Sequence, residues 1–279
     1  MRKLFVRAAL LSCAALVTGP AIANHAWGSY HWGRTSNPLK LEIRTAISSQ
    51  WTSSVNTAIG DWDQSNVLQL SGPVASGANA KKCTAINGKV LVCNAAYGQR
   101  GWLGIASIWL SGNHITKATT KLNDSYHSYA PYNSSAWRAL VACQEIGHDF
   151  GLGHQDENFS NPNLNTCMDY TNNPESNQHP NQHDYDQLAS IYSHLDSSNT
   201  SATQTTNFGL RVPGKSPVAP PGLNEEAGDS PAEWGKAIGN DGKGRPNLLV
   251  QDLGGGRRTV THVFWAIGEG PEGGHHDEH

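Results

Sequence analysis

Residues 134–154 read SSAWRALVACQEIGHDFGLGH. Trp137, Leu140, Val141, Gln144 and His148 follow the i, i+3, i+4, i+7, i+11 spacing that stacks side chains on one helical face. Asn133 or Ser134 can cap the start by accepting from a free backbone N–H. Gly151 is placed to end the helix in a left-handed turn, which a residue with a Cβ resists. The chain then reverses and carries His154 back towards His148. Gln144, Glu145, His148, Gly151 and His154 thus form the pattern Q-E-x-x-H-x-x-G-x-x-H. Side chains at i and i+4 sit one above the other on a helix, so Gln144 and His148 can reach one metal ion. Glu145 then stands beside that ion as a proton acceptor.

The pattern resembles the zinc signature H-E-x-x-H-x-x-G-x-x-H of the metzincin metalloproteases, with Gln144 in place of the first His. Downstream, Cys167-Met168-Asp169-Tyr170 resembles the methionine turn of that family, in which a Met side chain lies beneath the metal. Met168 follows His154 by 14 residues. The chain has two methionines, and the other is the initiator. The resemblance implies a mixed α+β catalytic domain. Its parts are a twisted, mostly antiparallel-edged sheet, an active-site helix, a methionine turn and a C-terminal helix. It implies Gln144, His148 and His154 as ligands of zinc or copper, and Glu145 as the general base. Gly151 becomes the helix stop and Met168 the support below the ion. The implied reaction is endopeptidase hydrolysis of a protein or peptide substrate by a monomer. Members of the gametolysin-like group resemble this chain in carrying Gln at the first ligand position.

An amide oxygen is a weaker donor than imidazole to a borderline-soft ion. Two further readings therefore stand beside the first. In one, His148 and His154 recruit a different third ligand, with Asp156, His179 and His183 nearest in sequence. In the other, the domain is a non-catalytic binding or structural module on the same fold.

The chain has 279 residues, a formal charge of −3 and only 15% charged residues. No basic patch points to nucleic acid. Residues 1–23 have the pattern of a signal peptide: Arg2, Lys3 and Arg7, an apolar run over 8–18, and the small-x-small site Ala21-Ile22-Ala23. Its removal takes the formal charge from −3 to −6, because three cations leave. No other apolar run is long enough to span a bilayer. The expected location is outside the cytoplasm, extracellular or periplasmic. Cys13 leaves with the signal, and Cys83, Cys93, Cys143 and Cys167 remain. An even number in an exported chain reads as two disulfides, with three connectivities open. Cys83–Cys93 and Cys143–Cys167 are the favoured pairs. The first flanks Asn87-Gly88, which looks like a hairpin turn between two strands, and the second ties the helix to the segment ahead of Met168.

Residues 24–38, rich in Trp, Tyr, His and Gly, read as an irregular segment packed across the surface. His25 and His31 read there as packing residues without a partner at ligand spacing. Residues 39–47 alternate as a strand, 50–65 form an amphipathic helix with Trp51, Val55, Ala58, Ile59 and Trp62 inward, and 67–71 form another strand. Residues 103–110 and 114–122 read as an antiparallel pair around Gly112-Asn113. Strand, helix, strands and metal helix is also the order in metzincin domains, where an edge strand pairs with extended substrate. Residues 103–110 are the candidate for that edge. Residues 183–195 read as a helix with Tyr185, Leu188, Ile191, Tyr192 and Leu195 inward. Asp61-Trp62-Asp63 and Asp156-Glu157 match no calcium loop and read as solvated faces. The catalytic domain is thus expected over 24–195, a linker or irregular extension over 196–246, and a C-terminal hairpin over 247–268. That hairpin is either a small appendage or an addition to the main sheet. Residues 269–279 read as a tail.

Overall fold

The protein is described by a computed structural model covering residues 25–202 and 226–270. The signal-peptide reading, part of the expected linker and most of the expected tail lie outside the described residues. The element order is β1 (His31–Trp32), β2 (Leu39–Ala46), α1 (Ser49–Trp62), β3 (Leu68–Ala75), β4 (Lys89–Ala95), β5 (Trp102–Ser111), β6 (His114–Asn123), α2 (Asp124–His127), α3 (Ser135–His148), α4 (Gln182–Ile191), β7 (Lys236–Asn240), β8 (Pro246–Gly254) and β9 (Arg257–Trp265). The architecture is mixed α+β, with one large sheet and few helices.

The strands run β3-β2-β4-β6-β5-β9-β8-β7, and the short β1 pairs with β6. The first half, through β6, is parallel. From β5 onward every pairing is antiparallel. The β5–β6 hairpin turns at Gly112, whose φ of 60° suits a residue without a Cβ. Helices α1 and α3 cover one face and share a core with it, centred on Trp51, Val55, Trp62, Val90, Leu103, Ile108, Leu140 and Ile146. From Thr259 to Trp265 strand β9 is buried on both faces, polar Thr259, Thr261 and His262 included. Val260 and Phe264 join the main core, while Val263 and Trp265 pack with Trp102, Ile105, Trp234 and Leu249 on the other face.

Several expectations change. Residues 103–110 are not a free edge: β5 is paired with β6 on one side and with β9 along its whole length on the other. The hairpin at residues 247–268 is therefore an extension of the main sheet. No hairpin forms around Asn87-Gly88. Strand β4 begins just after Gly88 and lies between β2 and β6 in parallel, whereas residues 83–88 form no strand. Both favoured disulfides are present, Cys83–Cys93 and Cys143–Cys167. The first joins an irregular segment to β4 rather than two facing strands. Strand β7 and a short 3-10 turn at Pro231–Glu233 lie within the stretch expected to be a linker, and Trp234 there is buried. Leu195, expected inward, is 58% exposed, because α4 ends at Ile191 and the chain turns away from the core. Among the described residues no helix is long and apolar enough to cross a membrane.

Candidate metal centre

Helix α3 starts where the Ser134 hydroxyl accepts from the Trp137 N–H at 3.2 Å. Its last two turns are buried all round, so Gln144, Glu145 and His148 sit in the interior. The helix breaks at Gly151, with φ of 94° and its N–H donated to the His148 carbonyl at 2.9 Å. A Cβ at Gly151 would lie 2.3 Å from the Tyr30 carbonyl oxygen, so both conformation and space call for glycine. Leu152 then bridges to Ala26, and the reversal points His154 back at the helix.

The two imidazoles meet. His148 Nε2 and His154 Nε2 lie 3.1 Å apart. Each ring is oriented through its other nitrogen. His148 Nδ1 donates to the Leu152 carbonyl at 2.7 Å, and His154 Nδ1 donates to Glu157 Oε1 at 2.9 Å. Burial lowers the pKa of both imidazoles, that of His148 well below the usual value. Both rings are thus neutral with the proton on Nδ1, and two lone pairs face each other across 3.1 Å. Two acceptors repel at that distance unless a cation lies between them. Zinc–imidazole bonds of about 2.0–2.1 Å in tetrahedral geometry place ligand atoms about 3.3 Å apart. Gln144 stands one helical turn before His148. The Gln144 Nε2 donates to the Cys167 carbonyl at 2.8 Å, so the amide must turn Oε1 the other way, and that oxygen is buried without a hydrogen-bond partner. Two neutral imidazoles and an orphaned amide oxygen fit a zinc or copper ion.

Glu157, expected on a solvated face, is instead the anchor of His154. Burial works to raise its carboxyl pKa, but the bonds to His154 and Asn247 outweigh that and hold it below the usual range. The Cys143–Cys167 disulfide ties α3 to the loop that carries Met168. Met168 is fully buried and lies against α3 at Gly147, the residue before His148. The N-terminal segment also contributes: the Trp27 indole stacks on His148 with centroids 4.7 Å apart.

Asp156, His179 and His183 do not supply a ligand. His179 Nδ1 pairs with Asp61 at 2.7 Å, His183 stacks on His25, and Asp156 caps the following loop through the Asn158 N–H. The residue that does approach is His262. It shares with His148 and His154 a cluster whose ligand-capable atoms all lie within 4.8 Å of one another. His262 arrives on β9, opposite Ala106 of β5. In this conformation its Nδ1 lies 3.1 Å from Glu145 Oε2, and its Nε2 lies 2.9 Å from the Tyr170 hydroxyl. Burial raises the Glu145 carboxyl well above its usual range and pushes the His262 imidazole down to about 3. Burial thus disfavours charge on both partners of the Glu145–His262 contact. Only one feature of the sequence hinted at His262: a polar residue alternating with Val260 and Phe264 at core-facing positions.

No family profile and no curated protein matches the chain. Among solved structures it is similar to high choriolytic enzyme 1, a hatching-enzyme zinc protease of the medaka fish Oryzias latipes. That match has 13% identity, 59% of this chain covered, 95% of the other covered and a TM-score of 0.32. It is also similar to myroilysin in two structures. One shows 11% identity, coverage of 61% and 98% and a TM-score of 0.35. The other shows 12% identity, coverage of 61% and 89% and a TM-score of 0.33. Likenesses this distant assign no family, and the chemistry of the site rests on its own atoms.

Proposed function

We propose that the chain is an exported metal-dependent endopeptidase of the metzincin type, described here in a closed conformation. The observation that carries this reading is the convergence of His148 and His154 Nε2, with His262 of the same cluster meeting the Glu145 carboxyl at 3.1 Å. His148, His154 and Gln144 Oε1 would hold zinc or copper. Such an ion polarises a carbonyl oxygen and makes water acidic enough to attack it near neutral pH. Glu145, next to Gln144 on α3, takes the proton from the attacking water and returns it to the leaving amine. Glu157 and the Leu152 carbonyl hold both imidazoles in the tautomer that offers Nε2. Met168 supports the helix from behind at Gly147. The signal-like N-terminus and the two disulfides support export.

In the closed conformation Glu145 Oε2 is engaged by His262, and β9 occupies the side of β5 on which an extended peptide would pair. Hydrolysis requires β9 to give way. The same observation favours a second reading, a metal-binding module sealed by its own C-terminal strand. The two are separated by metal content together with hydrolysis of an unfolded protein substrate. For an endopeptidase, His148→Ala loses one equivalent of zinc or copper. His262→Ala frees Glu145 and raises hydrolysis, and adding Glu145→Ala abolishes it. Bound metal with no hydrolysis in either wild type or His262→Ala establishes the sealed module. Metal content unchanged by His148→Ala removes both readings.

A further inference from the structure

A second group of imidazoles lies where the N-terminal segment meets the chain leaving α4. We infer that His31, His194 and Asp196 form a separate site for a divalent cation that prefers imidazole, of the zinc or copper class. The inference does not depend on the α3 site.

Three atoms define it. His31 Nε2 lies 3.3 Å from His194 Nε2 and 3.3 Å from Asp196 Oδ1, and His194 Nε2 lies 3.6 Å from Asp196 Oδ1. They form a nearly equilateral triangle. Direct N–H···O hydrogen bonds run at about 2.7–3.2 Å, so all three edges are longer than that. Ligands about 2.0–2.1 Å from a tetrahedral ion are about 3.3 Å apart, and the triangle matches one face of such a tetrahedron.

The surrounding bonds aim these atoms inward. His31 Nδ1 lies 2.8 Å from the Ser29 carbonyl oxygen, which only accepts. The proton of a neutral ring is therefore on Nδ1, and the Nε2 lone pair faces His194 and Asp196. Asp196 Oδ2 accepts from the Arg34 N–H at 2.8 Å, which turns Oδ1 towards the rings. His114 Nε2, 3.1 Å from the same Oδ1, donates to it and steadies the carboxylate from outside the triangle. The His31 and Asp196 side chains are 10% and 8% exposed, whereas His194 is 53% exposed. The fourth position therefore opens to solvent on the His194 side. Two imidazoles with one carboxylate suit zinc or copper, and are poor ligands for calcium or magnesium, which take oxygen donors.

An ion there would bind the folded chain in preference, since His31 is 163 residues from His194 in sequence, and would raise stability by mass action. It would pin the segment that carries Trp27 across His148.

The test uses the full chain, zinc as the probe, and metal content by mass spectrometry after gel filtration. Wild type, His194→Ala, Asp196→Asn and His148→Ala are compared. The expected result is that His194→Ala and Asp196→Asn each carry one equivalent less than wild type, while His148→Ala keeps that equivalent. Zinc should also raise the melting midpoint of wild type more than that of His194→Ala. Because His194 is half exposed, its truncation leaves the core intact, and Asp196→Asn keeps an acceptor for Arg34. Zinc content in His194→Ala equal to wild type overturns the site, as does complete loss of zinc in His148→Ala.

Discussion

Gly147 sits in the last turn of α3, and replacing a helical glycine by alanine ordinarily stabilises the helix by up to about 1 kcal/mol. Here the opposite is expected. A Cβ at Gly147 would lie 2.6 Å from Trp62 Cζ2 and 2.8 Å from Met168 Sδ. Carbon atoms in contact prefer about 3.5–4.0 Å, so the new methyl intrudes by roughly 1 Å on the indole. Met168 can swing aside, but Trp62 cannot: it is fully buried, and its Nε1 donates to the Cys143 carbonyl at 3.0 Å on the same helix. Overpacking of this kind costs about 1–3 kcal/mol. With one side fixed, the upper part of that range applies. Subtracting the helix gain leaves Gly147→Ala destabilised by about 2 kcal/mol, or roughly 4–8 °C in melting midpoint for a chain of this size. Gly60 in α1 is the control. It is also helical, but no atom lies within 4 Å of where its Cβ would stand, so Gly60→Ala should gain up to about 1 kcal/mol. Both variants and wild type are unfolded in urea with the disulfides intact. Gly147→Ala as stable as wild type, with Gly60→Ala stabilised as expected, would refute the packing argument and the close contact of Met168 with α3.

The remaining predictions concern titration and ring orientation. Burial pushes the His127 imidazole down to about 4 from the 6.5 of a solvated ring. Between those values the unfolded chain takes up a proton that the folded chain refuses, so stability falls as pH drops from 6.5 to 4, by up to about 3 kcal/mol. His127→Asn should flatten that part of the urea-midpoint profile, and an unchanged slope would show that His127 is not responsible. Glu157→Gln removes the charge that holds His154 Nδ1–H. Zinc affinity at the α3 site should drop about 10–100-fold, read by competition with a chelating dye, and an unchanged affinity would mean that the ring is held by other contacts.

What the sequence made legible was local. The i, i+4 placement of Gln144 and His148, the stop at Gly151, the Ser134 cap and the return of His154 all follow from backbone geometry within about twenty residues, where few alternatives compete. The β5–β6 hairpin was equally plain, because Gly112-Asn113 fixes the turn between two alternating runs. What stayed hidden depends on pairing between distant segments. Residues 103–110 have the pattern of a strand, but nothing in that pattern says whether one neighbour lies beside it or two. The answer came from β9, more than a hundred residues away, and with it came His262. For the same reason Asn87-Gly88 misled: the dipeptide does turn the chain, but the partners of β4 are β2 and β6, which the turn cannot specify. His31, His194 and Asp196 show the same limit. Each is unremarkable in its own window, and only the parallel pairing of β1 with β6 and the exit of α4 bring them to one point. The local course of the chain through Gln144, His148 and His154 was thus written in short-range geometry, and the mixed α+β class followed from the resemblance. The groups that cover the site, and the second cluster, are products of topology. A covering strand of this kind has a physical signature of its own. β9 is buried on both faces, and its core-facing pair Val260 and Phe264 is interrupted by one histidine. A buried imidazole is costly without partners, so that interruption implies polar groups waiting opposite, and Glu145 and Tyr170 are those groups.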